Sequence, residues 1–274
     1  MNGTPPRFDR MRRFRQGLRA GPAYGPFAKT RDPALIEAMG YAGFDFVILD
    51  MEHGPHAAGT LESLIRAAEI AGILPIVRVS QNAWSDIGAA LDLGAGGIQV
   101  PQIATPEQAA RAVRHARFAP QGERGVCRFV RNAAYGAMEK SDYFHHANEA
   151  LVVVQLEGEE ALENLDDILS VAGIDIVFIG PYDLSQSLGI PGEVEHPRVC
   201  ATIDRIAKAG EERGIPTGCF AETPEKAARW TRSGIRYLGY SVDIWLFQSA
   251  CAAAIDACRD ERQCEPCGDI RRHR

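Results

Sequence analysis

The sequence predicts an α/β chain closed as a single-domain (β/α)8 TIM barrel. Three observations predict it: eight short apolar runs, a longer amphipathic stretch after each, and cap residues at the junctions. Runs such as LVVVQLEG and IDIVFIG show no polar alternation. Strands of that kind are covered on both faces, as parallel strands under a layer of helices are. An open doubly wound sheet is the competing architecture. No GxGxxG turn follows the first run, however, and eight units are many for such a sheet. A chain of 274 residues is long enough to bury the core of a barrel.

Residues 1–21 are rich in Arg, carry little apolar periodicity, and read as an N-terminal extension or an irregular first helix. The barrel is assigned to 22–259. Its strands are expected at 24–28, 45–50, 74–79, 97–103, 151–157, 174–180, 216–221 and 237–242, with helices near 33–42, 60–71, 84–93, 106–117, 161–171, 197–213, 224–233 and 244–258. Asp32, Thr105, Thr223 and Asp243 stand where N-caps belong, and Pro follows the first three of them. Gly40, Gly43, Gly72, Gly94, Gly214 and Gly234 fall where helices should stop. The long connection 118–150 interrupts the rhythm and is expected to be a lid or a subunit-contact loop. Residues 260–274 are polar and aperiodic, and are expected to form a mobile tail.

Composition excludes several classes of function. The formal net charge is -6, so nothing marks the whole chain as a nucleic-acid binder. No apolar run is long enough to span a membrane, and the Arg-rich start lacks the apolar core of a secretion signal. The seven cysteines are odd in number and scattered, which fits a reducing cytoplasm. Cys264 and Cys267 form a lone CxxC, a weak metal or redox signal beside the plainer reading of two free thiols. Trp84, Trp230 and Trp245 lie on expected helices and read as packing residues, and His145 and His146 read as solvated.

In a barrel the chemistry sits at the C-terminal ends of the strands. Those ends offer Asp50-Met51-Glu52-His53 after the second strand, Arg78 in the third, Gln102 after the fourth, Gln155 and Glu157 in the fifth and Asp183 after the sixth. Polar groups that interrupt apolar runs cost folding free energy unless paired or liganded. Glu157 and Asp183 end successive strands and would lie side by side, a two-carboxylate seat for a hard divalent cation; ordinary loop solvation is the alternative. Asp50 is placed to orient the imidazole of His53 for proton transfer. Arg78, inside IVRVS, is either paired internally or reserved for an anion. No lysine stands at the end of the central strands, which argues against a Schiff-base aldolase, although Lys29 follows the first strand closely.

The segments FVILDMEHGP, IVRVSQNAW, LDLGAGGIQVPQI, FAPQGERGV, VVQLEG and VFIGPYDLSQSLG together resemble the HpcH/HpaI aldolase family, metal-dependent class II aldolases of 2-oxo acids. Six motifs occur in family order over roughly residues 25–242. The resemblance implies Glu157 and Asp183 as ligands of Mg²⁺, Mn²⁺ or Co²⁺, and Gln155 beside the bound 2-oxo acid. It implies Arg78 at the carbonyl or enolate oxygen, Asp50 and His53 in proton transfer, and Asp92, from a neighbouring subunit, near the histidine. Gly180, Pro181 and Tyr182 fall in the substrate-binding stretch. The family's assemblies imply a homo-oligomer, a trimer or hexamer. Tyr182, Cys127 and Phe129 depart from the smaller residues common at their positions, which bears on the acceptor half of the substrate.

The activity implied is that of a lyase cleaving or forming a carbon–carbon bond of a 4-hydroxy-2-oxo acid through a metal-stabilised pyruvate-type enolate. Its small-molecule partners would be a 2-oxo acid and an aldehyde or second carbonyl compound. A biosynthetic condensing enzyme using oxaloacetate or another 2-oxo acid as donor is the alternative. A metabolite-binding barrel without turnover is the third, and would be favoured by replacement of Glu157, Asp183, Arg78 or His53; none is replaced.

Overall fold

The structure, a computed structural model, describes residues 6–260. The Cys264/Cys267 pair and the remainder of the expected tail lie outside the described residues. The strands are β1 (Ala23–Ala28), β2 (Phe46–Asp50), β3 (Leu74–Arg78), β4 (Gly97–Val100), β5 (Leu151–Leu156), β6 (Ile176–Ile179), β7 (Thr217–Ala221) and β8 (Tyr237–Val242). They follow one another in a closed barrel, with β1 parallel to β8 at the seam.

Although the strands read as continuous apolar runs, their two faces meet different partners. Val47, Leu49, Val77, Val152, Val154 and Val177 point outward into the large core shared with the helices. Phe46, Ile48, Leu74, Ile76, Leu151, Val153, Ile176 and Phe178 fill the barrel interior. Because side chains alternate with period two, the next inward residue of β2, β3 and β5 is Asp50, Arg78 and Gln155. Apolar layers therefore fill the lower barrel and a polar layer closes its top. The register fixes that layer: Asp50 pairs with Arg78, and Arg78 with Gln99 on β4. The bulky rings need empty space opposite them. A Cβ on Gly218 would stand 2.7 Å from the Tyr237 ring and 2.9 Å from that of Phe178.

Asp32 and Thr105 cap their helices as expected, and Thr105 forms a capping box with Gln108. Asp243, expected as an N-cap, is instead the first residue of its helix. Its carboxylate accepts from the backbone N–H groups of Lys29 (3.0 Å) and Thr30 (2.8 Å), from the Thr30 hydroxyl (2.6 Å) and from the Ile244 N–H (2.7 Å). It ties the top of β1 to the top of β8.

The structure corrects several expectations. The Arg-rich start is a regular helix, Pro6–Ala20. Its Phe8, Met11 and Leu18 join the barrel-interior cluster, and Phe14 packs edge-on against Phe46 at 5.5 Å and Tyr237 at 6.3 Å. Phe46 and Tyr237 begin their strands, so this helix floors the barrel at its N-terminal end. The connection 118–150 is not a lid over this chain's site. It contains the 3-10 segment Arg131–Gly136 and the helix Lys140–Ala147, and packs its own small core of Phe118, Ala133, Tyr143 and Ala147. It joins a helix to β5 at the N-terminal end of the barrel, where Arg131 donates to the Leu93 carbonyl at 2.8 Å. His146 is not solvated: it stacks on Phe8 at 5.2 Å. Trp230 is buried as expected, whereas Trp84 and Trp245 stay exposed on the single chain. The last helix, Asp243–Asp260, also leaves Ile244, Phe247 and Ile255 exposed.

Candidate active site

Asp50 and Arg78 form the floor of the mouth. Both are buried, and the guanidinium meets the carboxylate through two bonds, Nε to Oδ1 at 2.8 Å and Nη2 to Oδ2 at 2.7 Å. Bidentate pairing of this kind fixes orientation as well as charge. The Arg78 guanidinium also lies over the Phe27 ring at 4.8 Å, and its Nη1 is 3.1 Å from Glu52 Oε2. Burial alone would raise the Asp50 carboxyl. The hydrogen bonds and charge of Arg78, the His53 N–H and the Lys29 charge outweigh it and hold Asp50 below the usual carboxylate range.

His53 is at the mouth, but Asp50 does not orient its ring. The Asp50 carboxylate is committed to Arg78 and to the backbone N–H groups of Glu52 (3.1 Å) and His53 (3.2 Å), an Asx turn that shapes the loop. The imidazole, 57% exposed, faces Glu52 instead, with Nε2 3.8 Å from Oε2. Lys29 Nζ lies 3.5 Å from Asp50 Oδ2, engaged with a carboxylate.

Glu157 follows β5, and Asp183 stands in the short helix Pro181–Ser187 after β6. Gly180 lies between them: a Cβ there would stand 3.0 Å from Glu157 Oε1 and 3.5 Å from Asp183 Oδ2, so both carboxylates approach the same point. Among the described residues, neither has a basic side chain within salt-bridge reach. Burial, with repulsion from Asp183 and Glu52, pushes the Glu157 carboxyl up to about 7 against the hydrogen bonds it accepts. Those bonds come from the Gln155 amide and from the Gln102 N–H at 3.0 Å. Gln155 in turn accepts from Gln99, whose own oxygen receives the Tyr237 hydroxyl at 3.4 Å. A buried amide chain thus runs from the barrel interior to Glu157.

Two cavities open at the mouth. One, of about 410 Å³, is lined by Lys29, His53, Arg78, Gln155, Asp183 and aromatic residues. The other, of about 370 Å³, is acidic, with Glu52, Glu157, Glu159, Glu160 and Asp183 on its walls. Asp183 and His53 border both. Gly180, Pro181 and Tyr182 line the first.

Asp92 is not in this site. It ends the helix Trp84–Asp92, at the opposite end of the barrel, and receives Arg124 Nη2 at 2.6 Å. Conversely, the sequence reading assigned no role to Glu52, Gln99 or Gln102. Glu52 carried a signal, a second carboxylate in Asp50-Met51-Glu52-His53. Gln102 did not: its importance lies in its backbone, held at φ +57° so that its N–H reaches Glu157. The tight cluster His145–His146–Glu149 is engaged by a cationic side chain from the first helix. Arg12 Nη1 sits among its atoms, 3.3 Å from both His146 Nδ1 and Glu149 Oε2.

A closed barrel with its polar groups gathered at the C-terminal mouth defines a barrel enzyme. The chain belongs to the HpcH/HpaI aldolase/citrate lyase family, which it matches over residues 23–250. It is 35% identical to the hydroxypyruvate/pyruvate aldolase of Paraburkholderia phytofirmans, over 83% of this chain and 90% of that protein. It is 33% identical to the 5-keto-4-deoxy-D-glucarate aldolase of Citrobacter koseri, over 85% and 90%. A crystal structure of a family member from Burkholderia cenocepacia superposes with a TM-score of 0.86 at 34% identity, covering 90% of this chain and 99% of that one. The citrate synthase SbnG superposes with a TM-score of 0.81 at 32% identity, covering 92% and 98%.

Proposed function

We infer that this protein is a metal-dependent aldolase that cleaves or forms the C3–C4 bond of a 4-hydroxy-2-oxo acid. One observation carries this: Glu157 and Asp183 converge without a cationic partner beside a pinned, buried arginine. Their fit to a divalent cation rests on that uncompensated charge and on hard oxygen donors, which suit Mg²⁺, Mn²⁺ or Co²⁺. Such a cation, held by Glu157 and Asp183, would supply positive charge where the enolate's charge develops.

The chain's own residues supply the rest. Asp50 locks the Arg78 guanidinium so that it faces the developing enolate oxygen without reorganising. Gln155, its amide fixed between Gln99 and Glu157, keeps the Glu157 carboxylate in place and flanks the donor acid. His53 takes the proton of the 4-hydroxyl. The C3–C4 pair of electrons then moves into the 2-oxo group as the aldehyde leaves, and protonation at C3 completes the 2-oxo acid. In synthesis the steps reverse. The P. phytofirmans and C. koseri relatives support a short 2-oxo acid donor. The likeness to citrate synthase SbnG supports a second reading, the same enolate adding to a ketone in a condensing enzyme.

The catalytic unit we assign is the barrel at 22–259, floored by the helix Pro6–Ala20. A homo-oligomer, trimer or hexamer, is supported by Asp92 at the wrong end of its own barrel and by exposed apolar residues on the last helix. The cytoplasm is supported by five unpaired cysteines among the described residues. No described helix is long and apolar enough to cross a membrane.

The test is deuterium exchange at C3 of pyruvate and of oxaloacetate in D₂O, with Mg²⁺, Mn²⁺ or Co²⁺ and again with chelator. Metal-dependent exchange that disappears in Glu157→Ala is expected, and the faster acid identifies the donor. A folded protein that exchanges neither acid with any of these metals is not an aldolase.

A further inference from the structure

The side of the mouth near the ends of β6 and β7 carries a partition. The Tyr182 hydroxyl donates to Glu222 Oε1, across from the short helix after β6 to the end of β7. The other Glu222 oxygen lies 2.6 Å from Lys226 Nζ, which also reaches Glu195 Oε1 at 3.3 Å. The backbone beneath is tied down: Ser185 Oγ donates to the Tyr182 carbonyl at 2.6 Å and accepts from the Gly192 N–H at 2.9 Å. Lys226 draws the Glu222 carboxyl below its usual range, against the effect of burial.

Tyr182, Pro181, Phe220 and Glu222 form a shared wall. On one side is the 410 Å³ chamber that holds Arg78, Lys29 and His53. On the other is a separate cavity of about 320 Å³, lined by Val194, Cys200, Trp230 and the stems of Lys226 and Arg229. That outer cavity is mostly apolar, with Glu195 and Glu225 also on its wall. The Tyr182 ring and its hydrogen bond to Glu222, with Pro181 and Phe220 beside them, close the way between the two cavities and set a length limit.

We propose that Tyr182, braced by Glu222 and Lys226, is the specificity-determining wall of the acceptor subsite, confining acceptors to short, hydroxylated aldehydes and closing off the outer cavity. This rests on the aldolase reading. Removing the ring joins the two cavities and gives an aliphatic aldehyde tail an apolar place to lie.

The experiment compares kcat/KM for pyruvate addition to glycolaldehyde and to hexanal, in the wild type, Tyr182→Ala, Tyr182→Phe and Glu222→Gln, alongside C3 exchange of pyruvate by the wild type. The quantity read is the ratio between the two acceptors within each variant, which cancels any loss in the shared enolate step. The wild type should prefer glycolaldehyde. Tyr182→Ala should shift the ratio toward hexanal by about tenfold or more, the scale on which pocket contacts discriminate. Tyr182→Phe and Glu222→Gln should shift it less, in the same direction, because the ring stays but its brace is lost. A ratio unchanged within about twofold in Tyr182→Ala and Glu222→Gln, with wild-type exchange intact, overturns the wall and leaves the aldolase reading standing. Absence of exchange in the wild type overturns both.

Discussion

Arg78 illustrates how much one side chain is asked to do. It neutralises a fully buried carboxylate, lies on an aromatic face and aims positive charge into the mouth. Lysine keeps the charge but not the fork, so Arg78→Lys should leave the protein folded while lowering kcat by about 10²-fold, the scale of one lost donor to a developing oxyanion. A kcat within about twofold of wild type would remove Arg78 from the transition state. Glu157 gives the pH dependence. Its carboxyl rises from an ordinary 4.5 to about 7 in the fold. The folded metal-free state therefore binds the proton more tightly than the unfolded chain, and stability falls as pH rises through that window. The loss is on the order of 3 kcal/mol in all. Urea denaturation in chelator at pH 5 and pH 8 should show that loss, Glu157→Gln should flatten it, and Mn²⁺ at pH 8 should reverse it. Equal stabilities at the two pH values would show that the site tolerates the charge alone. Residue identity made Glu157, Asp183 and Arg78 stand out, because Arg78 interrupts an apolar run and Glu157 and Asp183 follow the ends of two others. The contacts of Asp50 were not: a carboxylate three residues before a histidine can serve either the ring or the backbone, and the bidentate demand of Arg78 decides for the backbone.

At the level of elements, period-two alternation inside continuous apolar strands makes the barrel a filled core with one polar layer, and that layer is the site. The eight strands and most of their caps could be read directly from apolar runs and Thr/Asp-Pro junctions, since those patterns are local. The floor helix could not. Phe8, Met11, Phe14 and Leu18 do recur at helical spacing, but arginines crowd the positions between them and the stripe disappears into a basic segment. Those arginines have tertiary partners: Arg15 pairs with Asp175 at 2.9 Å, and Arg12 with Glu149 at 3.3 Å. Phe8 is almost wholly buried at the barrel floor. Phe8→Ala should cost about 3–5 kcal/mol, as large-to-small core substitutions do. The site lies at the other end, so kcat per folded molecule should stay near the wild-type value. Thermal unfolding and active-site titration separate the two. A large fall in kcat with unchanged stability would mean that the floor couples to the mouth.

For the whole molecule, one polar residue stands apart from the rest of the expected constellation. Asp92 closes an ion pair with Arg124, whose side chain is almost fully buried, at the end of the barrel away from His53, and one chain alone does not bring the two together. The last helix meanwhile projects Ile244, Trp245 and Phe247 into solvent, large apolar side chains of the kind that subunit contacts cover. No local pattern could have disclosed this, because burial between copies leaves the same apolar signature as burial within one. If a second copy completes the site, Asp92 and His53 belong to different chains, and their loss can be complemented. Asp92→Asn and His53→Asn should each be nearly inactive alone. Unfolded together and refolded as a mixture, they should recover a measurable part of wild-type turnover, because some sites then draw an intact His53 from one chain and an intact Asp92 from the other. A structural role for Asp92 through Arg124 predicts no such recovery, since a subunit weakened in its own fold is not repaired by a neighbour. Sedimentation of the same mixture reads the assembly independently: recovered activity should travel with a species several times the 29.9 kDa chain mass, and activity in a monomer fraction would place every catalytic group on one chain.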